Sequence, residues 1–221
     1  GWLYKVLAFL VYRVIAQPLV FLFTKLVFLQ RFENRQVLKA AKGRGAYLYG
    51  NHTNTMADAY IPNIHRYEKR NYIIAGPDAM SIRGLNSLLT MLGCIPLGNT
   101  LRQQRELRNC VLTRVAQGNL VTIYPEAHIW PYYTRIRPFP AASFHYPATD
   151  GAPVYAFTNC YQKRRLGKLP KIVTYVDGPF YADMDLPMPQ RKQTLRDACY
   201  EAMCRRAAEY STYEYVRYEE K

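Results

Sequence analysis

The sequence predicts an α/β fold: a single domain with a mixed, mostly parallel sheet flanked by helices, preceded by N-terminal amphipathic helices. Three observations lead there. Short β-branched and aromatic runs alternate with longer segments of helical period. The 221 residues, 49% of them hydrophobic, suffice for one core but not for two. The first 30 residues are far more apolar than the remainder, which places a boundary between a helical segment, 1–30, and a domain, 31–221.

Taken in order, the apolar runs of residues 1–30 are interrupted by Lys5, Arg13, Gln17 with Pro18, and Lys25. A membrane span needs about 20 consecutive apolar residues, and Pro18 is expected to kink or divide any helix. Two short helices lying in a membrane interface fit this pattern better than one span; packing on the domain's own core is the alternative. No small-residue cleavage site follows, so a signal peptide is not expected. Gly43-Arg44-Gly45 reads as a turn, Ala46–Tyr49 as a strand, and Thr53–Thr55 as helix-capping residues, with Pro62 disturbing the helix they begin. Tyr72–Ala75 is the next strand, Leu85–Leu92 a helix stopped by Gly93, and Cys94–Leu97 an extended piece. Residues 101–117 are helical and end at Gly118. Leu120–Tyr124, Val154–Phe157 and Ile172–Val176 read as buried strands, and 190–209 as a charged amphipathic helix.

The formal net charge is +14, which implies an anionic partner: nucleic acid, phospholipid headgroups or a phosphorylated substrate. Half of that excess lies in residues 1–50, where Lys5, Arg13, Lys25, Arg31, Arg35, Lys39, Lys42 and Arg44 face only Glu33. The coincidence of charge with apolarity favours a membrane lipid surface. No nucleic-acid-binding motif is visible, so no nucleic acid partner is expected. Five scattered cysteines show no metal-ligand spacing, which leaves no metal expected and points to a reducing cytoplasm.

Three constellations carry chemistry. His52 follows a strand directly, and Asp58 stands six residues on. On a regular helix that spacing turns about 240°, so the two would not share a face. They meet only if His52 lies in the loop and Asp58 points back from an early turn, the arrangement of a general base held by a carboxylate. A cap-and-turn motif with a surface histidine is the plain alternative. In the second, the strand Leu120–Tyr124 runs into Pro125-Glu126 at its carboxyl end, where open α/β sheets bind ligands. Glu126 there is suited to a substrate hydroxyl, or else to a cap or salt bridge. The third is basic: Arg102, Arg105 and Arg108, then Arg135 and Arg137, then Lys163-Arg164-Arg165. Arginine binds phosphate as a bidentate fork. Arg135 and Arg137, close after Glu126, are singled out; the others read as a solvated or membrane-facing surface.

Together these motifs resemble the glycerophosphate acyltransferase superfamily, in its 1-acyl-glycerol-3-phosphate acyltransferase type. The first family motif is matched by Asn51, His52 and Asp58. The second resembles Gly93–Gly98, with Arg102 nearby. The third is matched in part by Tyr124, Pro125 and Glu126, and the fourth resembles Ala152–Ala156. The resemblance covers roughly residues 1–180. It implies catalysis by His52 and Asp58, acceptor binding by Glu126, Arg102, Arg135 and Arg137, and supporting roles for Asn51 and Pro125. It implies transfer of a fatty acyl group from acyl-CoA or acyl-carrier protein, with no cofactor besides that donor, to a lysophospholipid acceptor. Helix-start backbone N–H groups would hold the oxyanion. The location implied is the cytoplasmic face of the cell membrane, peripheral or monotopic. Two departures stand out. Five residues, not four, separate His52 from Asp58, as in a bacterial subgroup. Ala127-His128-Ile129 replaces the family's Gly-Thr-Arg, removing the arginine expected at the acceptor phosphate. Three rivals follow: a metal-dependent hydrolase built on His52, Asp58, Glu126 and His128; a non-catalytic basic membrane-binding protein; and an acyltransferase for another lysolipid or a glycolipid.

Overall fold

The computed structural model describes residues 1–55, 57–59, 69–76 and 86–219. Its N-terminal segment is one helix, α1, over Trp2–Val27, so Pro18 does not divide it. The stretch Leu10–Ala16 is π-helical, and the Gln17 N–H donates to the Tyr12 carbonyl five residues back. That wider register opens the turn just ahead of the proline ring, which would strike a carbonyl in a regular α-helix. One stripe of α1 faces the domain through buried Ala8, Tyr12, Gln17 and Thr24. Elsewhere its apolar side chains, among them Trp2, Phe9, Val14, Leu19, Leu22 and Leu26, are exposed. By length and composition α1 suffices to cross a membrane.

The domain is built on seven strands: β1 (Arg31–Glu33), β2 (Ala46–Gly50), β3 (Asn71–Ala75), β4 (Cys94–Pro96), β5 (Leu120–Ile123), β6 (Val154–Gln162) and β7 (Lys171–Phe180). Their order in the sheet is β1-β7-β6-β2-β5-β3-β4. Every neighbouring pair is parallel except β6 and β7, which form an antiparallel hairpin. Among the described residues, the helices of the domain are α2 (Asn86–Met91), α3 (Leu101–Ala116), α4 (His145–Asp150) and α5 (Met188–Tyr210). β1, α4 and a 3₁₀ turn over Arg35–Ala41 go beyond what periodicity revealed. The helix expected after Thr53, with Pro62, falls mostly on residues outside those described, as does Leu85, the first residue of the helix expected over Leu85–Leu92.

β2 is buried along its whole length, as a continuous apolar strand in a parallel sheet covered on both sides should be. Tyr47 and Tyr49 face α3 and α5 with Val111, Val121, Ile123, Cys199 and Met203. Leu48 faces the other side, with Leu38, Leu120, Tyr155, Phe157 and Val176. The Thr100 hydroxyl and the Gln103 side chain cap α3 reciprocally, and Leu107, Val111 and Val115 form its buried stripe. Two hydrogen bonds to the sheet hold α1 and the residue after it. The Tyr12 hydroxyl accepts from the Asn71 N–H at the start of β3, at 2.9 Å. The Phe28 carbonyl accepts from the Ile172 N–H in β7, at 3.0 Å. β2 and β5 end side by side on one edge of the sheet, and β6 passes them at Phe157 and runs on to Gln162.

Candidate active site

Gly50 closes β2, and no other residue fits there: a Cβ would stand 2.0 Å from the Phe157 ring. The chain leaves the sheet at Asn51, which clips onto β6. The Asn159 N–H donates to Asn51 Oδ1 at 2.8 Å, and Asn51 Nδ2 donates to the Asn159 carbonyl at 3.1 Å. This double bond to a neighbouring strand fixes where His52 emerges. His52 lies in the loop, and Asp58 turns back towards it, as the spacing requires. His52 Nδ1 and Asp58 Oδ2 are 2.9 Å apart, with side-chain exposures of 19% and 2%.

Asp58 is held by more than His52. Its Oδ2 also accepts from the N–H groups of Thr53 at 2.7 Å and Asn54 at 2.8 Å, and its Oδ1 from Asn159 Nδ2 at 3.3 Å. Burial pushes the Asp58 carboxyl above the usual carboxylate range, while the His52 imidazole and these backbone donors pull it the other way. Asn159 is oriented in turn by the Thr174 hydroxyl at 2.7 Å, and Thr174 by Gln30 Nε2 at 2.8 Å. A buried chain of polar groups thus runs from Gln30 to His52.

Asp58 accepts only, so the ring proton belongs on Nδ1, and Nε2 is the basic nitrogen, on a partly exposed ring. The imidazole stacks on Tyr124, with ring centroids 4.3 Å apart, and the Tyr124 hydroxyl donates to the Asp58 carbonyl. The Tyr161 hydroxyl meets Thr53 Oγ1 at 2.8 Å. Burial, then the charge of Asp58, pushes both phenols well up, so they stay neutral.

Glu126 follows β5 and is turned inward, its side chain fully buried. Oε2 accepts from the His52 N–H and from Arg137 Nη2, both at 3.0 Å, and Oε1 from the Arg137 N–H at 3.0 Å. Arg137 Nη2 also reaches the His128 carbonyl, and its guanidinium lies 4.9 Å from the Trp130 ring centre. Glu126 and Arg137 therefore brace the His52 loop and hold one another. Arg135 is exposed, 5.7 Å from the Tyr133 ring centre. Arg102 is exposed in the first turn of α3, paired with Glu106 at 3.0 Å. Pro125 joins β5 to Glu126. Of the helix-start N–H groups that the family resemblance would put at the oxyanion, those of Thr53 and Asn54 are spent on Asp58. Ala57 and Asp58 give theirs to the Asn54 carbonyl. His128 is exposed, and among the described residues no three His, Cys, Asp or Glu side chains gather as a metal site would need.

Residues that the motifs did not flag complete the site. The Trp130 N–H donates to the His52 carbonyl at 3.0 Å and the Tyr132 N–H to the Thr53 carbonyl at 2.7 Å. Trp130 stacks on Tyr218, whose hydroxyl donates to the Pro131 carbonyl at 2.8 Å. Asn159 and Thr174 carried one sequence signal, a polar side chain inside an otherwise apolar strand. Nothing in the sequence marked the tyrosine tail.

An imidazole with a fixed tautomer, at the carboxyl edge of a parallel sheet, can take a proton from a hydroxyl and return it. A family model described as Acyltransferase matches residues 26–158, more than half of the chain. A search of curated proteins gives no match. Among solved structures, the chain is similar to the 1-acyl-sn-glycerophosphate (LPA) acyltransferase PlsC from Thermotoga maritima. The identity is 15% and the TM-score 0.63, over 90% of this chain and 83% of that one; the two share a fold.

Proposed function

The chain belongs to the acyltransferase family, and from that premise we propose that it moves a fatty acyl group from a thioester donor to the free hydroxyl of a lysophospholipid, foremost 1-acyl-glycerol-3-phosphate, giving phosphatidic acid. The observation that carries this reading is the His52–Asp58 pair, bonded through Nδ1 on a partly exposed imidazole. In the proposed step His52 Nε2 removes the acceptor's hydroxyl proton. The oxygen attacks the thioester carbonyl, the C–S bond breaks, and the proton passes to the leaving thiolate. Asp58 keeps the tautomer and stabilises the imidazolium. Glu126 acts through the His52 backbone. The donor is acyl-CoA or acyl-carrier protein, and no other cofactor enters. The exposed apolar flank of α1, with Lys25 in its last turn, would hold the enzyme on the cytoplasmic face of the membrane.

One observation favours a second acceptor. Arg137 is committed to Glu126, and Ile129 stands where the family's third motif has its arginine, so an acceptor phosphate would fall to Arg135 or Arg102. Another lysolipid or a glycolipid is the resulting second reading. Incubating the protein with labelled acyl-CoA or acyl-carrier protein and a panel of lysolipids, then weighing the products, distinguishes the two. His52→Ala should abolish transfer on every acceptor without unfolding the protein. Undiminished turnover in that variant would refute the mechanism.

A further inference from the structure

The β6–β7 hairpin carries a cluster that the catalytic reading leaves unused. Between Gln162 and Lys171 the chain reads Lys163-Arg164-Arg165-Leu166-Gly167-Lys168-Leu169-Pro170, with four cations and no acid. Lys163, Arg165 and Lys168 are exposed, and Leu166 stands 85% exposed at the crest. Gly167, with φ of +94°, makes the reversal.

Two facts say where this tip points. β2 pairs with β6 only as far as Gly50 beside Phe157, yet β6 continues to Gln162, so the tip stands roughly 17 Å beyond the end of β2. It projects from the edge that carries His52. It is also fastened to α1: Arg164 Nη2 donates to the Val27 carbonyl at 2.7 Å and to the Pro170 carbonyl at 3.0 Å. The basic loop therefore meets α1 at its carboxyl end, where the exposed apolar surface of the helix finishes.

We propose that this hairpin tip is a second membrane contact, whose cations bind anionic phospholipid headgroups and turn the His52 edge of the sheet towards the bilayer. The inference rests on the reading that α1 meets a lipid surface. It holds whether α1 lies in the interface or crosses it, because either course puts its last turn at headgroup depth. Juxtamembrane cations each strengthen binding to an anionic surface about fivefold.

The test is co-sedimentation with vesicles of phosphatidylcholine alone, or of phosphatidylcholine and phosphatidylglycerol at two parts to one. The double variant Arg165→Gln/Lys168→Gln leaves the structural Arg164 in place. It should bind the anionic vesicles roughly 25-fold more weakly than wild type and the neutral ones equally well. The wild-type preference for anionic vesicles should vanish at 1 M salt, where screening reaches about 3 Å. Equal binding of both proteins to the anionic vesicles, at matched melting temperature, overturns the proposal. Failure of the α1 reading looks different: wild type would then not bind neutral vesicles, and the anionic comparison alone would decide the hairpin.

Discussion

Asp58 receives four donors, from His52, Thr53, Asn54 and Asn159, in a site that excludes water. A buried carboxylate is tolerated only when it is bonded this fully, and the bonds leave its position no freedom. Asp58→Asn should lower kcat by roughly 10³- to 10⁴-fold, because an amide can hold the imidazole in the wrong tautomer. Steady-state kinetics with near-unchanged KM would confirm that loss. Ala127 makes a separate point. It follows Glu126 at φ of +64°, a left-handed conformation that costs a side-chain-bearing residue about 1–2 kcal/mol, and the related motif has glycine there. Ala127→Gly should raise stability by about 0.5–1 kcal/mol after the unfolded chain's gain in freedom is subtracted. Urea denaturation at constant m-value is the measurement.

The 128–134 loop joins the dyad to the tail that follows α5. It bonds the carbonyls of His52 and Thr53 on one side and is covered by the tail after α5 on the other. Trp130 and Tyr218 stack with centroids 5.3 Å apart, Tyr132 meets Tyr215 edge to face at 4.8 Å, and the Tyr213 N–H donates to the Tyr161 carbonyl at 3.1 Å. An aromatic pair of this kind is worth about 0.5–1.5 kcal/mol beyond its buried area. Tyr218→Ala should therefore loosen the loop before it loosens the fold. Limited proteolysis within 128–134 should speed up, while the melting temperature falls by only a few degrees; unchanged cleavage would show that the tail does not restrain the loop.

At the scale of the whole molecule, α1 has two unlike surfaces. The inner stripe is part of the domain: Tyr12 is only 2% exposed, Phe28 just past the helix is 0% exposed, and the Arg70 guanidinium lies 4.9 Å from the Tyr12 ring centre. The outer surface is a contiguous apolar face far beyond what a monomer leaves in water. Val14→Asp/Leu22→Asp should leave the melting temperature within a degree or two while weakening partition onto neutral vesicles at least tenfold, since each leucine- or valine-sized side chain contributes about 1.5–3 kcal/mol on burial. Vesicle sedimentation and calorimetry of the same preparation check both halves.

The sequence alone determined the alternation of strands and helices, the strand ahead of His52, and the loop placement of His52 relative to Asp58. These are legible because they depend on local periodicity and on the geometry of six consecutive residues. It did not determine that α1 is unbroken, since a π turn absorbs Pro18. Nor did it show that β6 and β7 pair as a long hairpin, that Asn159 holds Asp58 across 101 positions, or that Glu126 faces Arg137 and the His52 backbone. Those outcomes rest on which strands become neighbours. Pairing between distant segments is fixed by burial of both faces of the sheet at once, and that condition exists only in the assembled fold.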